Sequence, residues 1–100
     1  MNIEFLPEAD EEFLEASRYY ENEALGVGLA FIAEVHRVIT MVISHHLAAK
    51  QIRGTIRSKV LLHFPYSLFY SIESDLILKV AVAHQKRHPK YWRSRLKNME

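Results

Sequence analysis

The sequence predicts an α+β domain. It opens with a short strand, continues as an antiparallel helical hairpin and then forms a three-stranded antiparallel meander. Both helices lie on one face of a single sheet, and a short helical turn closes the chain. Three observations lead there. The apolar period is helical up to about Lys50 and alternating after it. Pro7, Gly26 and Gly28 punctuate the helical half. Phe64-Pro65-Tyr66 and Glu73-Ser74-Asp75 divide the alternating half into three runs.

Asn2 to Leu6 alternates Ile3 and Phe5 with Glu4, as an edge strand does. Pro7 suits a first helical turn, where its missing N–H costs nothing. Glu8, Asp10, Glu11 and Glu12 follow at once, where the helix dipole favours negative charge. Ala9, Phe13, Ala16 and Tyr20 share one face of this helix, which should end near Glu23. A second helix is expected from Leu29 to His46. Leu29, Ile32, Val35, Ile39, Val42 and Ile43 form its apolar face, widened by Phe31 and Val38. Alternation then places Ile56, Val60, Leu62 and Phe64 on one parity, followed by Leu68, Tyr70 and Ile72, and by Leu76, Leu78, Val80 and Val82.

One hundred residues make one domain, 1–100, with no repeat or linker. The 49% apolar fraction excludes disorder, and the lack of cysteine excludes disulfides, thiol catalysis and thiolate metal sites. No apolar run approaches the roughly 18 residues of a membrane span, and no signal peptide is visible. A soluble cytoplasmic domain is the expectation.

Charge is unevenly placed. Residues 1–34 hold nine acids and one base; residues 35–100 hold twelve bases and three acids. The second half therefore points to an anionic partner. If the purely apolar parity faces the helices, the opposite sheet face carries Arg57, Lys59 and Lys79, flanked by Arg53. It also carries Leu61, Phe69 and Ile77. A mixed basic and apolar face is one that something covers. From His84 to Lys97 there are six Lys/Arg, two His, Tyr91 and Trp92, and no acid. Such interleaving suits anion binding, or equally an aromatic pair that pins the tail while the bases stay solvated.

The chain resembles the RelE/ParE toxins of bacterial type II toxin–antitoxin systems. The matching residues are Glu15-Ala16, Tyr19-Tyr20-Glu21 and Gly26 to Phe31. Arg57 then leads into Phe64-Pro65-Tyr66-Ser67-Leu68-Phe69-Tyr70, and the match closes with Val82-Ala83-His84 and Arg87-His88-Pro89-Lys90-Tyr91-Trp92. It is nearer the ParE-like branch. The resemblance implies a plasmid-stabilisation toxin that poisons DNA gyrase by protein–protein contact and is held inactive by a cognate antitoxin, with a heterotetramer as the expected complex. Arg53, Arg57, Lys59, Leu61, Phe69, Ile77 and Lys79 are then the expected antitoxin contacts. Arg87, Lys90, Tyr91, Trp92, Arg93 and Arg95 are the expected target contacts.

The alternative implied by the RelE branch is a metal-free ribonuclease acting on messenger RNA in the ribosome. It needs a base, an acid and cations for the phosphate. His84 or His88 could move protons, Arg57 and Arg87 could hold charge, and Tyr91 could act as acid or stacking group. A third reading is an inactive relative that only binds antitoxin. No metal or cofactor is expected. His45 and His46 are adjacent and diverge on a helix, Pro89 argues against a helix joining His84 to His88, and the glycines form no phosphate loop. The acids of helix one read most simply as a solvated face.

Overall fold

The computed structural model describes residues 2–45, 47, 50–88 and 91–99. In chain order the elements are β1 (Asn2–Phe5), α1 (Pro7–Glu23), α2 (Val27–Ser44), β2 (Lys50–Arg53), β3 (Ile56–Val60), β4 (Tyr66–Glu73), β5 (Leu76–His84) and a C-terminal 3-10 helix, Tyr91–Met99. The architecture is the expected α+β one, with both helices on one face of a single sheet ordered β1-β5-β4-β3-β2. The meander β3-β4-β5 is antiparallel, and β1 joins its far edge parallel to β5. One strand was not anticipated. β2 pairs with β3 across a turn at Gly54, and its four residues, Lys-Gln-Ile-Arg, are too few to show a period.

Helix α2 starts at Val27, ahead of the expected Leu29, because Gly28 enters the helix instead of breaking it. Gly26, at φ 87°, has no side chain with which to cap α2. The Glu21 carboxylate replaces that cap, accepting from the Gly26 N–H at 2.9 Å and the Gly28 N–H at 3.0 Å. The two helices approach so closely that a Cβ on Gly28 would stand 2.6 Å from the Ser17 carbonyl oxygen. Helix α2 ends at Ser44, where the His45 N–H donates to the Met41 carbonyl at 2.8 Å. His46, its expected end, lies outside the described residues. Over its 18 residues the mean hydropathy is 1.6, long and apolar enough to cross a membrane by composition. The expectation of no such segment counted uninterrupted runs, and Glu34, His36 and Arg37 interrupt this one. Here Phe31, Val35, Val38 and Val42 fill the core beneath the hairpin.

Two apolar clusters flank the sheet. The larger joins α1 and α2 to Leu61, Leu68, Tyr70, Ile77 and Val82, with Phe5, Phe13, Tyr20, Phe64 and Tyr66 around it. The smaller, on the opposite face, joins Ile56, Val80 and Ala81 to Trp92 of the 3-10 helix. Glu34, 7% exposed, ties α2 to the loop before β4. It accepts from the His63 N–H at 2.9 Å and meets the His63 ring at 2.5 Å. Burial opposes ionisation of Glu34, but the His63 contacts outweigh it and hold the carboxyl below its ordinary value.

The face assignment read from alternation is corrected in two places. Paired residues share a face, so Arg57 opposite Tyr70 and Lys59 opposite Leu68 look toward the helices, while Ile56 looks away. Leu61, one residue beyond β3, is buried in the helix-side core, whereas Val60 and Leu62 are exposed. In β5 the register slips. Phe69 pairs with Ala81 but Tyr70 with Lys79, so Val80 is an extra residue in a bulge. That slip inverts the parity below it. Ile77, 1% exposed, joins the helix-side core, and Leu78 faces the other way. Among the described side chains of the expected open-face set, only Phe69 stands on the helix-free face, and it is covered by Trp92 at 5.2 Å between ring centroids. The Arg53 side chain lies outside the described residues.

Lys79, 6% exposed, therefore sits on the helix side, with its Nζ 3.5 Å from the centre of the Phe5 ring. Burial pushes its pKa down to about 8, partly offset by Asp10. Between pH 8 and 10.5 the unfolded chain holds more protons here than the folded one, so stability should rise with pH across that window. Lys79→Met should raise stability at pH 7 by about 1–3 kcal/mol and flatten that rise in urea titrations. Gly28→Ala should do the opposite. In an open helix the change stabilises by about 1 kcal/mol, but the collision with Ser17 should turn it into a loss of about 1–3 kcal/mol in urea melts.

Candidate functional site

β5 outruns its edge partner. Phe5 of β1 pairs with Lys79, the Leu6 N–H donates to the Lys79 carbonyl at 2.9 Å, and Pro7 then turns the chain into α1. Beyond that point no strand among the described residues neighbours the outer edge of β5, and side chains take its place. Glu12 of α1 accepts from the Val82 N–H at 3.1 Å, and Arg95 of the 3-10 helix donates to the Val80 carbonyl at 3.0 Å. The two groups pair with each other through two hydrogen bonds, at 2.7 and 2.9 Å. The Tyr91 hydroxyl also donates to Glu12. One carboxylate thus satisfies a sheet edge and anchors the tail. Reading Glu12 as part of a solvated face was wrong; Glu8, Asp10, Glu11 and Glu15 do stay exposed. The signal existed in hindsight only, as an acid on the helix flank nearest a strand that β1 is too short to cover.

The tail residues divide by this anchorage. Trp92 is 2% exposed beneath the second cluster, and Arg95 is held by Glu12. Packing occupies the Trp92 ring and pairing the Arg95 guanidinium. Arg87 is exposed, its guanidinium 4.0 Å from the centre of the Tyr91 ring, with Arg95 at 4.9 Å. Burial and the Glu12 hydrogen bond push the Tyr91 phenol well above the ordinary tyrosine range, so it stays protonated. Lys90 lies outside the described residues.

Of the residues expected under a nuclease reading, His84, Arg87 and Tyr91 line both clefts at the end of β5, and His88 lines one of them. His84 stacks edge-on against Tyr66 at 5.1 Å, and its Nδ1 accepts from the Lys86 N–H at 3.0 Å. Arg57 is elsewhere. It pairs with Tyr70, which pairs with Lys79, so it stands two strands and five residues away from His84. That is about 15 Å along β5 and about 10 Å across the sheet. Its guanidinium donates to the Leu47 carbonyl at 3.0 Å. Among the described residues no group of three potential metal ligands forms.

Two open clefts flank the Arg87–Tyr91 ridge. One, about 260 Å³, lies between α1 and β5 and includes Glu12, Glu15, Tyr19 and Tyr66. The other, about 200 Å³, lies on the helix-free face. Both fall below the roughly 300–1,000 Å³ of small-molecule sites, which suits contact with a macromolecule better than enclosure of a substrate.

Glu12→Ala should lower stability by about 2–4 kcal/mol in urea melts, since it leaves Arg95 and the Val82 N–H without their acceptor. Emission from Trp92, the sole tryptophan, should shift to the red as the tail loosens.

No curated protein matches this sequence. Among solved structures it resembles a chain of the "Chromosomal ParDE TA system from P. aeruginosa". The TM-score is 0.72 at 11% identity, over 84% of this chain and 95% of that one, a likeness of fold. The family described as "ParE toxin of type II toxin-antitoxin system, parDE" matches residues 3–89, which covers both α-helices and all of the sheet but Asn2, and stops short of the 3-10 helix Tyr91–Met99. The chain belongs to the family of ParE toxins of type II toxin–antitoxin systems.

Proposed function

We propose that this ParE-type toxin acts in the cytoplasm by protein–protein contact with DNA gyrase and is neutralised by a cognate antitoxin. One placement carries the reading against the RNA-cleaving alternative: Arg57 stands two strands from the His84, Arg87 and Tyr91 group. A phosphate held at that group would have Arg87 as its cation but not Arg57, and the Tyr91 proton is committed to Glu12. The gyrase target itself rests on the family resemblance. Arg87 and Tyr91, on the ridge between the two clefts, are its proposed contacts.

A ParDE system implies an antitoxin partner, and a heterotetramer is the assembly we expect. Of the expected antitoxin contacts, Leu61 and Ile77 are core residues, Lys79 is buried and Phe69 is covered by Trp92. Arg57 and Lys59 remain at the helix-side surface, half-buried. The Arg57 bond to Leu47 places them near the end of α2, where Met41, Ile43 and Leu47 are exposed. An acidic, amphipathic antitoxin segment would cover this apolar patch and neutralise its bases.

Purified toxin should inhibit gyrase supercoiling, and its induction should halt growth with a DNA-damage response. Toeprints on translating ribosomes should show no codon-specific breaks. Breaks with unimpaired supercoiling would replace this reading with the ribonuclease one.

A further inference from the structure

We propose that the cleft on the helix-free face of the sheet is an anchor site for the target protein, taking one apolar side chain that stands beside a carboxylate. The proposal rests on the reading that the toxin works by protein contact. Phe69 and Ala83 supply apolar lining, Ser67 lies between the two on that face, and Arg87 and Trp92 complete the wall. At about 200 Å³ the cleft matches a single large side chain rather than a whole small-molecule ligand.

An orphaned donor on a lining residue indicates the rest of the occupant. Trp92 is almost wholly buried, yet its Nε1–H has no hydrogen-bond partner among the described residues, and the Nε–H of the adjacent Arg93 has none either. Unsatisfied buried donors are rare in native proteins, and the one on Trp92, which lines the cleft, calls for an oxygen acceptor. Charge selects which acceptor. Residues 84–97 carry six Lys/Arg and no acid, and Arg87 stands exposed at the rim. A carboxylate would be drawn by this field and accept from guanidinium and indole alike. The neighbouring cleft shares Arg87 but contains Glu12 and Glu15, which repel such a group. The acid-flanked anchor therefore belongs on the helix-free side.

Trp92 is the sole tryptophan, so its fluorescence reports on the cleft directly. N-acetyl-L-phenylalanine, an aromatic side chain beside a carboxylate, should change that emission saturably in the low-millimolar range. Its amide should bind about tenfold more weakly. Ser67→Leu, which fills the cleft, should abolish the response. Arg87→Gln, an exposed change that leaves the fold intact, should erase the preference for acid over amide and weaken gyrase inhibition about tenfold at unchanged antitoxin affinity. A response that never saturates, equal binding of acid and amide, or tighter binding of a short single-stranded RNA than of the acid would overturn the proposal. Gyrase inhibition by a toxin that ignores the probe would overturn the anchor and leave the gyrase reading standing. Acid-selective binding without gyrase inhibition would support the anchor and overturn the gyrase reading.

Discussion

The Glu12 carboxylate settles a problem that the chain's own topology creates. A strand nine residues long is flanked at its outer edge by one only four residues long, and Pro7 prevents the shorter from growing. Backbone groups at a sheet edge either find partners or invite another chain to supply them. Here an acid from the first helix and an arginine from the last segment stand where a fifth residue of β1 would be. Because the same pair holds Tyr91, the tail is carried round the sheet edge, and Trp92 comes to rest on the face that the helices leave bare. The second core cluster, the Arg87–Tyr91 ridge and the clefts beside it all follow from that anchorage.

The architecture was legible because its cues are local. Pro7 after an alternating run, a helical stripe through Ala9, Phe13, Ala16 and Tyr20, and the turns at Pro65 and Ser74 each lie within a few residues of what they specify. Which way the sheet faces was not legible, because a bulge is a pairing event. Nothing in Lys79-Val80-Ala81 marks Val80 as the extra residue; the slip appears only when β4 lies alongside. Reading β5 as one unbroken alternation put Ile77 and Lys79 on the wrong side. The inversion in β3 has a simpler origin. Four apolar residues of one parity looked like a single strand, although the strand ends at Val60 and Leu61, not its neighbours, turns into the core.

Charge was informative in sum and misleading in detail. The acidic first third and basic remainder partly answer each other within the fold: Glu12 meets Arg95, and Glu34 meets His63. These contacts subtract specific residues from the pool available to a partner, and what remains exposed is more localised than the totals suggest. Arg87 at the ridge and Arg57 with Lys59 near the end of α2 belong to separate surfaces, set apart by the width of two strands. On the function proposed above, the antitoxin meets one of these regions and the target the other.

The Glu12–Arg95 pair also imposes an order on the birth of the molecule. Its members are 83 positions apart in the chain. At cellular elongation rates of about 5–20 residues per second, the first waits on the order of 4–17 s for the second. The outer edge of β5 therefore closes last, only when the 3-10 helix docks against Glu12. Until that contact forms, the newly made toxin carries a bare strand edge and a buried-to-be carboxylate without its cation. A fault that kept the tail from docking would hold the chain in this state, its helices and strands in place but its closing clasp unmade.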